Sequence, residues 1–268
     1  MKDVFEYNTD DEVKFVGGYK LLIKKTVTST NEVLKEEVKK SLVKGETCKK
    51  IALIADSQTN GRGRLGRSFY SPSGTGLYLS CILPIDDNAE YPISLTAATG
   101  VAVCRSIEKV LGISPKIKWV NDLYLGDKKI CGILAEAVND SESGKIAAIV
   151  IGIGINCTTE DFPKELINAG SLCCGEYDFP RLKLAEVILN EIDKVLTEEF
   201  IEEYKRRSNV LGRKIYVIDN KTATKKAAYA KGIDKNGGLV VQYEKDGINK
   251  DVVEETLTTG EITVRFNN

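Results

Sequence analysis

The sequence predicts an α+β protein with a larger first domain, in which strands and helices come in separate runs, and a small β-barrel at the C-terminus. Two observations carry this. Strand and helix patterns do not alternate as βαβ units, which argues against a parallel doubly wound sheet. After Leu211 the chain changes to short alternating stretches split by "DN", "DKNGG" and "KDG". The boundary is expected at Ser208–Gly212, which divides the chain into residues 1–210 and 211–268.

The elements follow in order. "KLLIKKTVTSTNEVLKEEVKKSLVKG" reads as strand, turn and helix. Ser29 with Glu32 three residues on forms a capping box, and Val33, Leu34, Val38 and Leu42 fall on one helical face. "IALIADSQ" and "GLYLSCILP" are largely buried strands, the second closed by Pro84. "ISLTAATGVAVCRSIEKVLG" is a buried helix ending at Gly112. "KIKWVNDLYLGDKKICGILAEAVND" gives two strands joined at Gly126-Asp127, and "SGKIAAIVIGIGINC" pairs with it across "DSESG". "FPRLKLAEVILNEIDKVLTEEFIEEYKRRS" is one helix with Pro180 near its start.

Composition removes several functions. The chain has 268 residues and a formal net charge of -1, so it is not built as a general nucleic-acid binder. Histidine is absent, which rules out Ser–His and Cys–His nucleophiles and histidine metal sites. Seven cysteines are present without a C-x-x-C pair, and they read as reduced core thiols. The acidic start "MKDVFEYNTDDEV" is no signal peptide, and the longest apolar run, Ile146 to Cys157, is too short to span a membrane. A cytoplasmic location is expected.

Three stretches carry chemistry. In "NGRGRLGRSFYSPSGTGLYLS", Arg62, Arg64 and Arg67 sit among glycines with no acidic neighbour. Gly61, Gly63 and Gly66 match G-x-G-x-x-G, and Asp86 lies about 20 residues on as a dinucleotide fingerprint requires. However, Pro72, Gly74 and Gly76 occupy the segment that should be helix. No Gly-Lys-Ser/Thr follows either, so the loop is not of the Walker type. Arginines so close together repel one another, and a phosphate or carboxylate ligand would relieve that and order the loop. In "KIKWVNDLY", Lys116 and Lys118 share a strand face, where Lys118 is either an edge guard or a charge aimed into a cleft. In "GIGIN", Gly152 and Gly154 either mark a bend in a core strand or let a flat ring lie on the backbone beside Asn156.

Together, "TSTNEV", "DSQTNGRGRLGRSFYSPSGTGLYLS", "KIKWVNDLYLGDKKICGILAE", "IVIGIGIN" and "KGIDKNGGLVV" resemble the biotin protein ligases, over most of the chain. The resemblance implies a central mixed sheet with helices on one side and an SH3-like C-terminal barrel. It implies activation of biotin by ATP and Mg²⁺ to biotinyl-5′-AMP, then transfer of biotin to a lysine of a carboxylase carrier domain. Biotin's carboxylate is ionised at neutral pH, so the first step needs positive charge and no base, in keeping with the missing histidine.

By the same resemblance, Ser29, Thr30, Asn31 and Gln58 belong to the biotin pocket, with Gly61, Arg62, Gly63 and Arg64 closing over it. Arg64, Arg67, Phe69, Asn121, Asp122 and Asn156 belong to the ATP or adenylate side. Lys118 and Arg62 are the expected catalytic residues, with Lys118 contacting the biotin carboxylate and the phosphate. The metal ligands are not assigned. Val120 stands where the family usually has proline, which leaves that turn more freedom and Lys118 less well aimed.

Some relatives carry an N-terminal DNA-binding unit. Only 27 residues precede Thr28 and they show no two-helix pattern, so no DNA binding is expected. A homodimer through edge pairing of "KIAAIVIGIG" is one expectation, although that strand equally suits the middle of a sheet. The alternatives are a lipoate–protein ligase, which shares the adenylate logic, and a non-catalytic biotin or nucleotide sensor.

Overall fold

A computed structural model describes residues 12–84, 92–174, 179–219, 222–244 and 253–264. Asp86 and the "KDG" turn lie outside these. The larger of the two sheets has eight strands in the order β1-β2-β3-β4-β8-β7-β6-β5. Its strands are β1 (Glu12–Val16), β2 (Tyr19–Val27), β3 (Ile51–Gln58), β4 (Gly76–Pro84), β5 (Lys116–Lys118), β6 (Asp122–Leu125), β7 (Lys128–Asn139) and β8 (Ile146–Asn156). Every pairing is antiparallel except β2 with β3. The sheet is therefore mixed, and β2-α1-β3 is one βαβ crossover that the absence of alternation did not foresee.

The strands form because their alternate residues bury on one side. Leu77, Leu79 and Cys81 of β4 and Ile149, Ile151, Ile153 and Ile155 of β8 join one core. Above them lie α2 (Pro92–Leu111) and α3 (Arg181–Val195), through Val101, Cys104, Ile107, Leu184 and Ile188. The opposite face carries a smaller cluster in which Leu34 and Val38 of α1 (Thr30–Val43) meet Leu53, Ile82 and Val150. Helices thus cover both faces, which corrects the one-sided arrangement. The apolar stripe of α1 had to be buried, and only the second face was left for it.

The segment expected as one helix is two, α3 and α4 (Ile201–Arg207). Thr197 Oγ1 donates to the Lys194 carbonyl at 2.8 Å where α3 ends. The chain then turns so that Tyr204 buries and donates to the Val120 carbonyl at 3.2 Å. Arg105 of α2 holds the new helix through Glu203, and Arg207 reaches back to Glu108 of α2 at 2.7 Å. Strand β8 lies inside the sheet between β4 and β7, so the edge pairing expected for a homodimer through this strand is overturned.

A second, antiparallel sheet follows, in the order β12-β11-β10-β9-β13. It comprises β9 (Lys214–Ile218), β10 (Lys225–Ile233), β11 (Leu239–Tyr243), β12 (Glu254–Leu257) and β13 (Glu261–Val264). Its β10–β11 turn is the expected "DKNGG". Asp234 Oδ1 accepts from the Asn236 and Gly238 amides, and Gly237 takes φ +89. The chain's single tryptophan ties the sheets together, because buried Trp119 donates Nε1–H to the Gly237 carbonyl at 3.0 Å. No helix among the described residues is long and apolar enough to cross a membrane.

Candidate active site

Strand periodicity puts the polar residues of the large sheet on the α1 side. One row of paired residues crosses five strands: Lys118, Asp122, Gly132, Gly154 and Tyr78. The two glycines lie side by side and leave bare backbone as a floor. A Cβ on Gly154 would sit 2.5 Å from the Phe69 ring, and one on Gly132 would sit 3.2 Å from it. Phe69 thus lies on the floor, edge-on to Tyr78 with ring centroids 6.4 Å apart. A cavity opens over this floor.

One wall is the start of α1. Ser29 has the extended backbone of an N-cap, but its side chain makes no capping hydrogen bond, so the expected capping box does not form. The Thr30 amide donates instead to Gln58 Oε1 at 2.8 Å, and Thr30 Oγ1 donates to the same oxygen at 3.1 Å. Gln58 Nε2 then donates to Ser71 Oγ at 2.9 Å. Glu32, free of the cap, pairs with Lys35 at 2.5 Å and with Arg62. Asn31 is buried and bonded to Glu136 and Ser80.

The arginine loop is the roof, folded as a short hairpin. The Gly63 amide donates to the Arg67 carbonyl at 2.7 Å and the Phe69 amide to the Gly61 carbonyl at 2.9 Å. At its tip Arg64–Gly66 form a 3-10 turn, with exposed Leu65 at φ 57, a conformation uncommon outside glycine. Gly61 is required: a Cβ there would stand 2.4 Å from the Phe69 carbonyl oxygen. The expectation of three unpaired arginines does not hold. Arg62 meets Glu32 of α1, Arg64 donates to Asn121 Oδ1 at 3.0 Å and to the Gly260 carbonyl at 3.2 Å, and Arg67 forms a two-point pair with Glu261 of β13. The acids come from elements far away in sequence.

The cavity is lined by the predicted residues Ser29, Thr30, Asn31, Gln58, Arg62, Gly63, Arg64, Phe69 and Asn121. Gly61, Arg67, Lys118, Asp122 and Asn156 are not in its lining. Gly61 is buried beneath the hairpin. Lys118 lies at the outer end of the row with Nζ 5.6 Å from the Tyr124 ring centroid. Asn156 donates Nδ2–H to the Gly170 carbonyl at 3.0 Å and so supports the loop after β8.

The lysine that does line the cavity is Lys129, unforeseen in the sequence. Its Nζ stands 3.5 Å from where a Gly132 Cβ would be, and 2.8 Å from Asp122 Oδ1. Glu136, Tyr78 and Ser80 were also missed, although each shares a strand face with a flagged or paired glycine. The Val120 turn is held on both sides: Val120 is buried, its carbonyl accepts from Tyr204, and its neighbour Trp119 is bonded to Gly237. The turn is thus packed and hydrogen-bonded without a proline. The Trp119–Val120 peptide is cis.

The electrostatics follow from these contacts. Burial holds the Lys118 ammonium below its ordinary range, against the opposing pull of Asp122 and Glu261. Burial likewise lowers Arg64, which stays charged. The hydrogen bond from Arg67 keeps the Glu261 carboxyl below the usual carboxylate range, and that bond with Glu261 raises Arg67.

A sequence model of the biotin/lipoate A/B protein ligase family matches residues 23–156. The chain is 30% identical over 243 residues to the bifunctional ligase/repressor BirA of Escherichia coli, covering 87% of this chain and 72% of that protein. It is 27% identical over 180 residues to the biotin–[acetyl-CoA-carboxylase] ligase of Mycobacterium tuberculosis, covering 62% of this chain and 64% of that one. Among solved structures, the biotin protein ligase from Aquifex aeolicus in complex with biotin and ATP superposes with a TM-score of 0.72 at 27% identity, over 92% of this chain and 99% of that chain. This chain belongs to the biotin/lipoate A/B protein ligase family.

Proposed function

We propose that this protein is a biotin protein ligase that makes biotinyl-5′-AMP from biotin and ATP and passes the biotinyl group to a lysine of a biotin carboxyl carrier domain. The observation that carries this reading is the floor of Gly132 and Gly154, bounded on one side by a wall of neutral hydrogen-bonding groups with Arg62 beside it and on the other by Arg64 and Lys129. A flat, polar ring fits over bare backbone, and the carboxylate at the end of its chain meets the cations.

In the first half-reaction a biotin carboxylate oxygen attacks the α-phosphorus. The new P–O bond forms as the bond to pyrophosphate breaks. Charge moves onto pyrophosphate, so fixed cations speed the step. Lys129 and Arg64 stand at the floor's cationic end. Arg67 and Lys118, set further out along the same edge, are assigned to the phosphates. Lys118, expected from the sequence to touch the biotin carboxylate, gives that place to Lys129. Phe69 leaves the floor on binding and covers the adenosine, and Asn121, Asp122 and Asn156 shape the nucleotide side.

A Mg²⁺ ion fits the donors present. No group of three or more metal-binding side chains occurs among the described residues; Asp122 Oδ1 is buried and ion-paired with Lys129 at 2.8 Å without an aligned hydrogen bond, so an ion there would share this oxygen with the lysine. Such a site suits an ion held mainly by phosphates and water, with Asp122 as the protein's carboxylate. Bound there, Mg²⁺ would neutralise phosphate charge.

In the second half-reaction the carrier lysine attacks the acyl carbon, the bond to AMP breaks and the amine loses a proton. Cations at the site favour the neutral amine that must attack. Residues 1–210 form the catalytic unit, and 211–268 an SH3-like barrel whose first strand begins at Lys214. Incubating the protein with biotin, MgATP and a carrier domain should raise the carrier mass by one biotinyl group. A carrier left unmodified while biotin binds would support a sensor. A lipoyl adduct made in preference would support a lipoate ligase.

A further inference from the structure

Glu136 has no part in the chemistry above, yet it reaches two residues of the site and Lys35 of α1. Its Oε2 accepts from Asn31 Nδ2 at 2.8 Å and its Oε1 from Lys35 Nζ at 2.9 Å, with Arg62 Nη1 3.8 Å away. A carboxamide is nearly symmetric in shape and opposite in hydrogen-bonding sense at its two ends, so something must decide which end faces the ligand. Here two neighbours can only accept. One is the ionised Glu136 and the other is the Leu134 carbonyl, 3.3 Å from Asn31 Nδ2. Burial pushes the Glu136 carboxyl up, but the hydrogen bonds from Asn31 and Lys35 and the charges of Lys35 and Arg62 outweigh it, and the group stays below its ordinary range.

The amide nitrogen of Asn31 is thereby committed, and Oδ1 is left facing Ser80 and the Gly152 backbone. A methyl on Gly152 would collide with this oxygen. Ser80 Oγ stands 2.6 Å from Asn31 Oδ1 and 2.7 Å from Thr30 Oγ1 and has one proton to give. A ligand N–H arriving at Asn31 Oδ1 would release that proton for Thr30.

We propose that Glu136 is a positioning residue that locks the Asn31 carboxamide with its oxygen toward the cavity, so that this wall selects a substrate ring bearing N–H donors. This rests on the biotin reading above and adds to it the residue that sets the polarity of the ring-binding wall. Asn31 is 3% exposed, so no bulk water stands in if the amide turns.

Three variants test it. Glu136→Gln offers a donor and frees the carboxamide to present Nδ2 to the ligand. Asn31→Asp places two carboxylates together. Combined with Glu136→Gln it restores an oxygen toward the cavity, because the new glutamine amide can donate to the new aspartate carboxylate. The expected result is a biotin KM raised about 10- to 30-fold in Glu136→Gln with kcat for pyrophosphate release little changed, the range for one mispaired buried group. Asn31→Asp should lose about 100-fold, and the double variant should recover at least tenfold of that, the Leu134 carbonyl remaining unpaired.

Binding of a biotin analogue methylated on both ring nitrogens, measured by calorimetry, supplies a second readout. Discrimination against it should be strong in the wild type and at least tenfold weaker in Glu136→Gln. Thermal unfolding and ATP binding report whether each variant is folded. An unchanged KM in Glu136→Gln, or a folded double variant no better than Asn31→Asp, would overturn the proposal. Wild-type protein that binds lipoate and not biotin would overturn the biotin reading, and this inference with it.

Discussion

Replacing Lys129 with methionine keeps an unbranched side chain one atom shorter and removes its charge. Lys129 Nζ lies over the floor at Gly132, so the carboxylate and phosphate oxygens of a bound adenylate would come within about 4 Å of it. At that distance, with the effective dielectric of about 20 that suits partly exposed sites, the attraction is about 4 kcal/mol. The lysine side chain is 35% exposed, and screening reduces this to roughly 2–4 kcal/mol, or about 30- to 1,000-fold in rate. Lys118 is two strands from Gly132 along the same row, about 10 Å at the usual spacing of strands. With the same effective dielectric of about 20 its attraction at that distance is about 1.7 kcal/mol, close to a 15-fold effect. Steady-state pyrophosphate release at saturating MgATP and biotin measures both. Thermal unfolding and ATP binding of Lys129→Met report whether leaving Asp122 without its lysine disturbs the fold or the nucleotide side. The assignment is refuted if Lys118→Met slows turnover more than Lys129→Met does, and the contact expected from the sequence would then be restored.

Three further outcomes are predicted. The Arg207 hydrogen bond and charge hold the Glu108 carboxyl at about 2, so this pair stabilises the fold above the ordinary glutamate pKa and loses that contribution as pH falls toward 2. Glu108 is a third exposed, which leaves about 1–2 kcal/mol after screening, and Arg207→Met should flatten the urea stability curve between about pH 4.5 and 2 by that amount. Gly154→Ala raises a methyl from the floor where the ligand ring would rest once Phe69 has moved off it, and should weaken biotin binding about 10- to 100-fold by calorimetry, from an overpacking cost of about 1–3 kcal/mol against the ligand; unchanged affinity would show that the ring does not rest on this floor. Trypsin should cut between Arg62 and Arg67 more slowly when biotin and MgATP are saturating, and Glu261→Gln should speed cutting of the vacant protein; equal rates throughout would mean that neither ligand nor β13 restrains the hairpin.

How much could be read from the sequence depended on the range of the interaction. Buried strands and α2 were legible, because alternation and helical periodicity are local signals. The glycines of "GIGIN" could be flagged, but only the partner strands reveal that Gly154 faces Gly132 and makes a floor. Lys129 was missed for a definite reason. Simple alternation from Gly132 sends Ile130 to the cavity face and Lys129 to the core. The register of β6 and β7 shifts between Leu123 and Tyr124, pairing Cys131 with Leu123 but Lys129 with Tyr124. That irregularity buries Ile130 in the core and turns Lys129 to the site. Lys118 sits in an unbroken three-residue strand and follows alternation as expected, so it was legible and nonetheless lies outside the cavity.

The acids that meet the loop arginines explain how a cationic hairpin can be folded without ligand. Glu32, Glu136 and Glu261 come from α1, β7 and β13, and each is brought to the loop by packing that has nothing to do with the loop's own sequence. An anionic ligand must therefore exchange partners with these acids and does not simply fill a gap. Exchange favours a ligand that carries a full charge, since a neutral analogue cannot take an arginine from a carboxylate. The three pairs are not equivalent. Arg67 is 65% exposed, so its bond to Glu261 is easily broken. Arg62 sits beside Glu136, which is committed to Asn31 and Lys35 and cannot follow it. The C-terminal sheet can thus release the hairpin while the ring-binding wall stays fixed, and the polarity of that wall is set before any charge on the ligand is felt.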